Sequence, residues 1–156
     1  MECASLGHIV AEPKGVFTAG SRQTFTFVYT VGTLGMKVGG SLRIATPNDD
    51  WEFPLAPMHR YFQRGHERGG YDNGICSYAR RNLDVALQTA GKAWIDLDSQ
   101  ECGVAGTLTK GGAGWSRHIV AIVRDADLAP GDRITVVYGD RSWGEDGVRV
   151  QRVAPM

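Results

Sequence analysis

Residues 128–151, LAPGDRITVVYGDRSWGEDGVRVQ, spell a turn, a strand, a polar loop and a second strand. Pro130-Gly131-Asp132 is the turn: proline presets one backbone angle, glycine supplies the left-handed one, and the aspartate carboxylate can bond back to the chain. Ile134, Val136 and Tyr138 then alternate with Thr135 and Val137, the two-residue period of a strand, until Gly139-Asp140 breaks it. The pair is expected to run over 133–138 and 148–153.

The same signal recurs toward the N-terminus. Residues 21–31, SRQTFTFVYTV, place Phe25, Phe27, Tyr29 and Val31 on one face and Thr24, Thr26, Val28 and Thr30 on the other. A strand over 41–45 follows the Gly39-Gly40 turn, and 93–97 and 107–109 are shorter candidates. Residues 116–124, SRHIVAIVR, are apolar on both faces at their centre, which predicts a strand in the middle of a covered sheet. Leu55, Met58 and Phe62 have helical spacing, so a short helix or turn is expected over 55–62. Residues 79–90 fit either a helix through Ala79, Leu83, Ala86, Leu87 and Ala90, stopped by Gly91, or a strand through Leu83, Val85 and Leu87.

Composition agrees with a glycine-turned β protein. The chain has 21 glycines among 156 residues, spread along its length, and its 42% hydrophobic and 22% charged residues are those of a globular domain. No repeat or linker divides it, so one domain over 1–156 is expected. The fold class predicted is all-β: an antiparallel, immunoglobulin-like sandwich carrying a long irregular insertion over about 47–82.

Charge and cysteines narrow the partners. Seventeen basic residues balance seventeen acidic ones, which leaves no global field to draw in nucleic acid or an anionic membrane. Nucleic acid is therefore not expected as a partner. Glu2 lies in a start without the apolar core of a secretory signal, and no run approaches the ~20 apolar residues of a spanning helix, so a cytoplasmic location and no membrane are expected. Cys3, Cys76 and Cys102 show no zinc-type spacing; reduced thiols are expected, and a Cys76–Cys102 bridge only in an exported protein.

Ala19-Gly20-Ser21 with QTFTFVYTVG, the GG before Leu42 and Ile44, Trp115 ahead of a strand, LAPGD, VVYGDRS and GVRVQ together carry a resemblance. The chain resembles the N-terminal β-domain of a bacterial family catalogued as a domain of unknown function. Its larger members join that domain to a region similar to the metal-dependent phosphoesterases of the polymerase and histidinol-phosphatase type. The resemblance spans about two-thirds of the chain and implies a stand-alone module with a larger catalytic subunit, or further copies of itself, as partner. No H-x-H or H-x-D-x-H cluster occurs here, so hydrolase chemistry is not carried over. The middle of the chain, from Asn48 to about Gly91, departs from the family pattern.

That middle holds MHRYFQRGHERGGYDNGICSYARR, the segment best equipped for chemistry. His59 and His66 can exchange protons near neutral pH, Tyr61 and Tyr78 can donate a proton, and Arg60 and Arg64 can hold an anionic group. Asp50 or Asp72 could orient an imidazole. A solvated, arginine-rich loop anchored by its aromatics is the simpler reading. His118 shares a strand face with Val120 and Ile122 and is either a hydrogen-bonded rim residue or a rigidly placed base. Trp94 is read as core, whereas Trp51, Trp115 and Trp143 sit in turn-like surroundings where they could line a pocket, stack on a sugar or plug the end of a sandwich.

No metal or cofactor is expected. The acidic groups at 48–52, 96–101 and 140–146 lack the ligand order of a calcium loop, and the histidine spacing fits no zinc motif. The glycines of 110–116 precede a strand and lack the order of a phosphate-binding loop. The leading expectation is a binding or accessory module acting through a partner subunit or a small polar or anionic ligand held by the 47–82 loop. Its alternative is a small metal-independent lyase, isomerase or hydrolase with His59 or His66 as base, Tyr61 or Tyr78 as acid, and substrate contacts from Trp51, Arg60, Arg64, Asp72, Trp115, His118 and Trp143. Carbohydrate recognition through Trp51, Trp115 and Trp143 is a third.

Overall fold

The structure, a computed structural model, describes residues 5–46, 51–52, 82–98, 117–142 and 144–152. Among them no helix occurs. The strands are β1 (Gly7–Glu12), β2 (Arg22–Gln23), β3 (Phe25–Val31), β4 (Ser41–Thr46), β5 (Leu83–Gln88), β6 (Trp94–Asp98), β7 (Arg117–Arg124), β8 (Arg133–Tyr138) and β9 (Val148–Arg149). They form a four-stranded sheet in the order β1-β3-β8-β5, a three-stranded sheet β4-β7-β6 and a ribbon β2-β9, and every pairing is antiparallel.

The two larger sheets bury one core between them. Val31, Leu83, Ile134, Val136 and Tyr138 come from the first, and Ile44, Ile95, Leu97, Ile119, Ala121 and Val123 from the second; Leu128 and Val148 close it. Alternation sets the faces: in β8, Ile134, Val136 and Tyr138 are buried while Thr135 and Val137 are half-exposed. β7 is the middle strand of its sheet and buries both faces, with Ile119, Val120, Ala121 and Val123 all at most 2% exposed. This matches its doubly apolar sequence.

The Pro130-Gly131-Asp132 turn forms as its residues dictate. Gly131 takes a φ of 87°, the Asp132 amide donates to the Ala129 carbonyl (3.1 Å), and the Asp132 carboxylate accepts from the Ala129 amide (2.8 Å). Gly131 and Asp132 also bond to Val31, which fastens the turn to β3.

Several expectations are corrected. The strand foreseen over 21–31 is two: the chain breaks at Thr24, whose hydroxyl donates to the Gly139 carbonyl (2.7 Å), and Arg22–Gln23 pairs with β9 while Phe25–Val31 pairs with β1 and β8. Residues 83–88 are strand, because Leu83, Val85 and Leu87 find a partner face along β8. The last strand is only Val148–Arg149. Trp94 is not core: it is 41% exposed, at the start of β6 opposite Arg124 and on the face away from Ile95 and Leu97. β1 was not anticipated at all. The candidates over 55–62 and 107–109, and all three cysteines, lie outside the described residues.

Immunoglobulin-like connectivity is not what the described strands show. An immunoglobulin sandwich places strands A, B, E and D in one sheet and C, F and G in the other. Lettering the described strands of the two larger sheets in chain order gives A-B-G-D and C-F-E. Among these strands the fifth and last stand exchanged, because β3 pairs with β8 and β4 with β7, the second pair lying within the first along the chain.

Candidate functional site: the loop-bearing end of the sandwich

Register decides which connections meet. Phe25 and Leu83 both pair with Tyr138, and Thr46 pairs with Arg117. The end of β4, the start of β5, the start of β7 and the end of β8 therefore share one end of the sandwich. At the other end, 32–40, 89–93 and 125–132 make short turns that hydrogen bonds hold, among them Gly40 N–H to Lys37 O (2.8 Å), Gly91 N–H to Thr89 Oγ1 (3.0 Å) and the reciprocal pair between Met36 and Leu128.

At the first end, β2 and β9 cap the core, and Trp51-Glu52 is stitched onto them. The Glu52 amide donates to the Arg149 carbonyl (3.1 Å), and the Glu52 carboxylate accepts from the Arg149 amide (2.9 Å) and from the Arg22 guanidinium (3.1 Å). Arg22 donates in addition to the Gly147 carbonyl (2.9 Å), so one side chain spans the ribbon and the segment before 53. The Tyr138 hydroxyl, on a ring that is 1% exposed, donates to the Glu52 carbonyl.

The return of the chain is fixed to the same place. Asn82 is buried, and its backbone carbonyl accepts from the amides of Gly139 (2.6 Å) and Asp140 (3.0 Å). Glu52 and Asn82, the residues on either side of 53–81, are thus both bonded to the short stretch Tyr138, Gly139 and Asp140. Glycine lets this stretch and the one before β9 pass close to β2: at Gly139 (φ 89°) a Cβ would stand 2.3 Å from the Gln23 carbonyl oxygen, and at Gly147 (φ 92°) 2.6 Å from the same atom.

Of the candidate residues, Trp51 is described. It is half-buried against Phe25, ring centroids 5.5 Å apart, and Phe25 in turn packs on Phe17 (5.3 Å, edge to face) and Tyr138 (6.3 Å, stacked). This aromatic cluster closes the core where the long segment leaves it. His118 is placed by its backbone opposite Ala45, near the same end. Asp50, His59, Arg60, Tyr61, Arg64, His66, Asp72, Tyr78, Trp115 and Trp143 lie outside the described residues.

Glu52, Arg22, Asn82 and Tyr138 were missed. Glu52 reads in sequence as one more acid beside Asp49 and Asp50, and nothing local announces a partner 97 residues away. At the opposite end Thr89, Asp132 and their neighbours line an open depression of about 460 Å³. Within it Thr89 Oγ1 donates to Asp132 Oδ2 at 2.7 Å, a bond that braces the turn. Among the described residues no three His, Cys, Asp or Glu come together as metal ligands, and no helix is long and apolar enough to cross a membrane. No family model, curated protein or solved structure matches the chain.

Proposed function

We propose that the protein is a β-sandwich binding or accessory module that presents the 47–82 segment, with His59, Arg60, Arg64 and His66, to a small polar or anionic ligand or to a larger partner subunit. One observation carries this reading: both flanks of 53–81, Glu52 and Asn82, are bonded to Tyr138–Asp140, so the segment leaves and re-enters the sandwich at one fixed stem. A rigid scaffold with a long polar segment on one end is the usual arrangement of a binding loop. The nested pairing of β3 with β8 and β4 with β7 is also that of a jelly roll, an architecture shared by lectin domains. The resemblance to a domain that elsewhere accompanies a metallohydrolase region supports the accessory role by analogy.

The test is to replace 53–81 by a Gly-Ser linker of about eight residues, which reaches between two flanks held on the same stretch of β8. The expected product is a folded sandwich with a cooperative melt that no longer binds the anions bound by the full chain, assayed with phosphate, citrate and a dicarboxylate by calorimetry. Arg60→Ala with Arg64→Ala in the full chain should weaken the same binding at least tenfold. Loss of the fold on replacing the segment, or undiminished anion binding without it, would contradict the reading.

A further inference from the structure

Among the described residues the outer edge of β1 is unpaired, and its sequence is complementary to itself. Which backbone groups it offers follows from β3. Val31 uses both its amide and its carbonyl toward the β8 side, donating to Asp132 O and accepting from Gly131 N–H (2.9 Å each). Bonding direction alternates along an antiparallel strand, so Thr26, Val28 and Thr30 turn theirs toward β1. Their partners there are Glu12, Val10 and His8. Ile9 and Ala11 therefore point N–H and C=O away from the sheet.

Among the described residues nothing covers this edge. Natural edges are guarded by lysines, prolines within the strand or bulges. β1 has an unbroken register from Gly7 to Glu12 and neither Lys nor Pro inside it. Ile9 and Val10 are 48% and 42% exposed, with Leu6 and Leu34 beside them more exposed still. The opposite edge of the same sheet differs, because β5 leads through a short turn into β6, which approaches it where the two sheets meet.

We propose that β1 pairs antiparallel with β1 of a second copy, about a two-fold axis at Val10, joining the four-stranded sheets into one. The bonding pattern selects this register: residues that point outward must face each other, so Ile9 lies opposite Ala11 of the second copy and they exchange N–H···O=C bonds. Val10 then faces Val10 in a non-hydrogen-bonded pair, where Cα atoms stand about 4.5 Å apart. His8 falls opposite Glu12 on both sides of the axis, placing an imidazole N–H beside a carboxylate twice; in the single copy Glu12 pairs with the exposed Lys14, at 3.7 Å. Gly7 falls opposite Pro13, which has no amide, and the ladder ends. The formal charge of zero leaves no net repulsion between copies. The occupant this edge fits is thus its own duplicate, and the pairing sends the two loop-bearing ends in opposite directions.

Sedimentation equilibrium of the full chain tests it. The wild type is expected at twice the chain mass at tens of micromolar. Ile9→Pro removes an outward N–H and no bond to β3, as edge strands allow, and should raise the dissociation constant at least ~10-fold. Val10→Lys, at an exposed position, should give single copies by setting two ammonium groups face to face. With Cys3, Cys76 and Cys102 replaced by Ser, Val10→Cys should cross-link to itself under oxidised glutathione. Ile9→Cys should not, its two copies being about 8 Å apart across the ladder, beyond disulfide reach. A single-copy mass for the wild type at millimolar concentration, a dimer that survives both Ile9→Pro and Val10→Lys, or cross-linking at position 9 and not at 10 would each overturn the proposal. Should Ile9→Pro fail to fold, Val10→Lys and the cross-links decide alone.

Discussion

Glu52→Ala should unfasten the stem of the long segment, and its cost can be worked from the contacts. The substitution keeps the backbone bond from Glu52 N–H to Arg149 O and that from the Tyr138 hydroxyl, but removes the carboxylate from the Arg149 amide (2.9 Å) and from Arg22 (3.1 Å). The amide bond is charge-assisted and part-buried, worth about 1.5 kcal/mol. The Arg22 pair is more exposed, with the side chains 41% and 23% accessible, and Arg22 retains Gly147 O, so the ion pair adds no more than about 0.5 kcal/mol. A total near 2 kcal/mol lowers the melting temperature by roughly 4–8 °C for a domain of this size. Glu52→Gln keeps an acceptor for the amide and should cost less than about 1 kcal/mol. Urea unfolding followed by tryptophan fluorescence, at low salt and at 0.5 M NaCl, separates the two parts, since salt screens the ion pair and spares the amide bond. A melting temperature for Glu52→Ala within 1 °C of wild type, or equal losses for Ala and Gln, would refute the assignment of Glu52 as the fastening residue.

Three further outcomes are expected. Leu83→Ala, at a position 1% exposed between Tyr138 and the second sheet, should cost about 3 kcal/mol through the cavity it leaves, read from denaturant midpoints. Arg124→Ala removes two guanidinium bonds to Asp96 Oδ2 (3.0 and 2.9 Å) on a side chain that is 4% exposed, and should cost about 2 kcal/mol, whereas Lys14→Ala at an exposed pair should cost nothing measurable. The Asp127 carboxyl is held below its usual range by the hydrogen bond from Lys37 (2.7 Å) and then by the Val38 amide (2.9 Å). Because its folded value lies below the unfolded one of about 3.9, the stability it lends is present above pH 4 and is lost as pH falls through the folded value; Asp127→Asn should flatten that part of the acid-unfolding profile, and an unchanged profile would remove the pair from the account.

The elements legible in sequence are those whose burial writes a period. β8 alternates in sequence and in burial because one face meets the core, β3 alternates in sequence with Phe25, Phe27 and Tyr29 packed on that core, and β7 is apolar on both faces because both are covered. β1 was illegible for the complementary reason: at the edge Ile9 and Val10 are both exposed, so no face of GHIVAE is selected and no alternation appears. Residues 83–88 could not be decided locally, since Leu83 and Leu87 suit a helix as well as a strand; pairing with β8, far along the chain, decides it. The order of strands lay beyond the pattern as well, because alternation fixes which side chains face inward but not which strand lies next to which. For the site, the composition of 47–82 marked the segment, while of the residues that fasten it Asn82 acts through its backbone carbonyl and Glu52 through backbone and carboxylate to partners far along the chain, neither of which leaves a local sequence signature.

Parity explains why the long connections gather at one end. With the described neighbouring strands antiparallel throughout, successive connections alternate ends: β3 to β4, β5 to β6 and β7 to β8 at one, β4 to β5, β6 to β7 and β8 to β9 at the other. The first set is short and closed by turns such as Ala129–Asp132 and Lys37–Gly40, which fix the register of the strands on either side. With register set there, the second set is free to vary in length without displacing a core residue, provided each segment is tied at its base. Glu52 and Asn82 supply that tie through Tyr138, Gly139 and Asp140. With binding assigned to the long segment by the reading proposed above, substitutions within 53–81 should change what the protein binds far more than how firmly it folds.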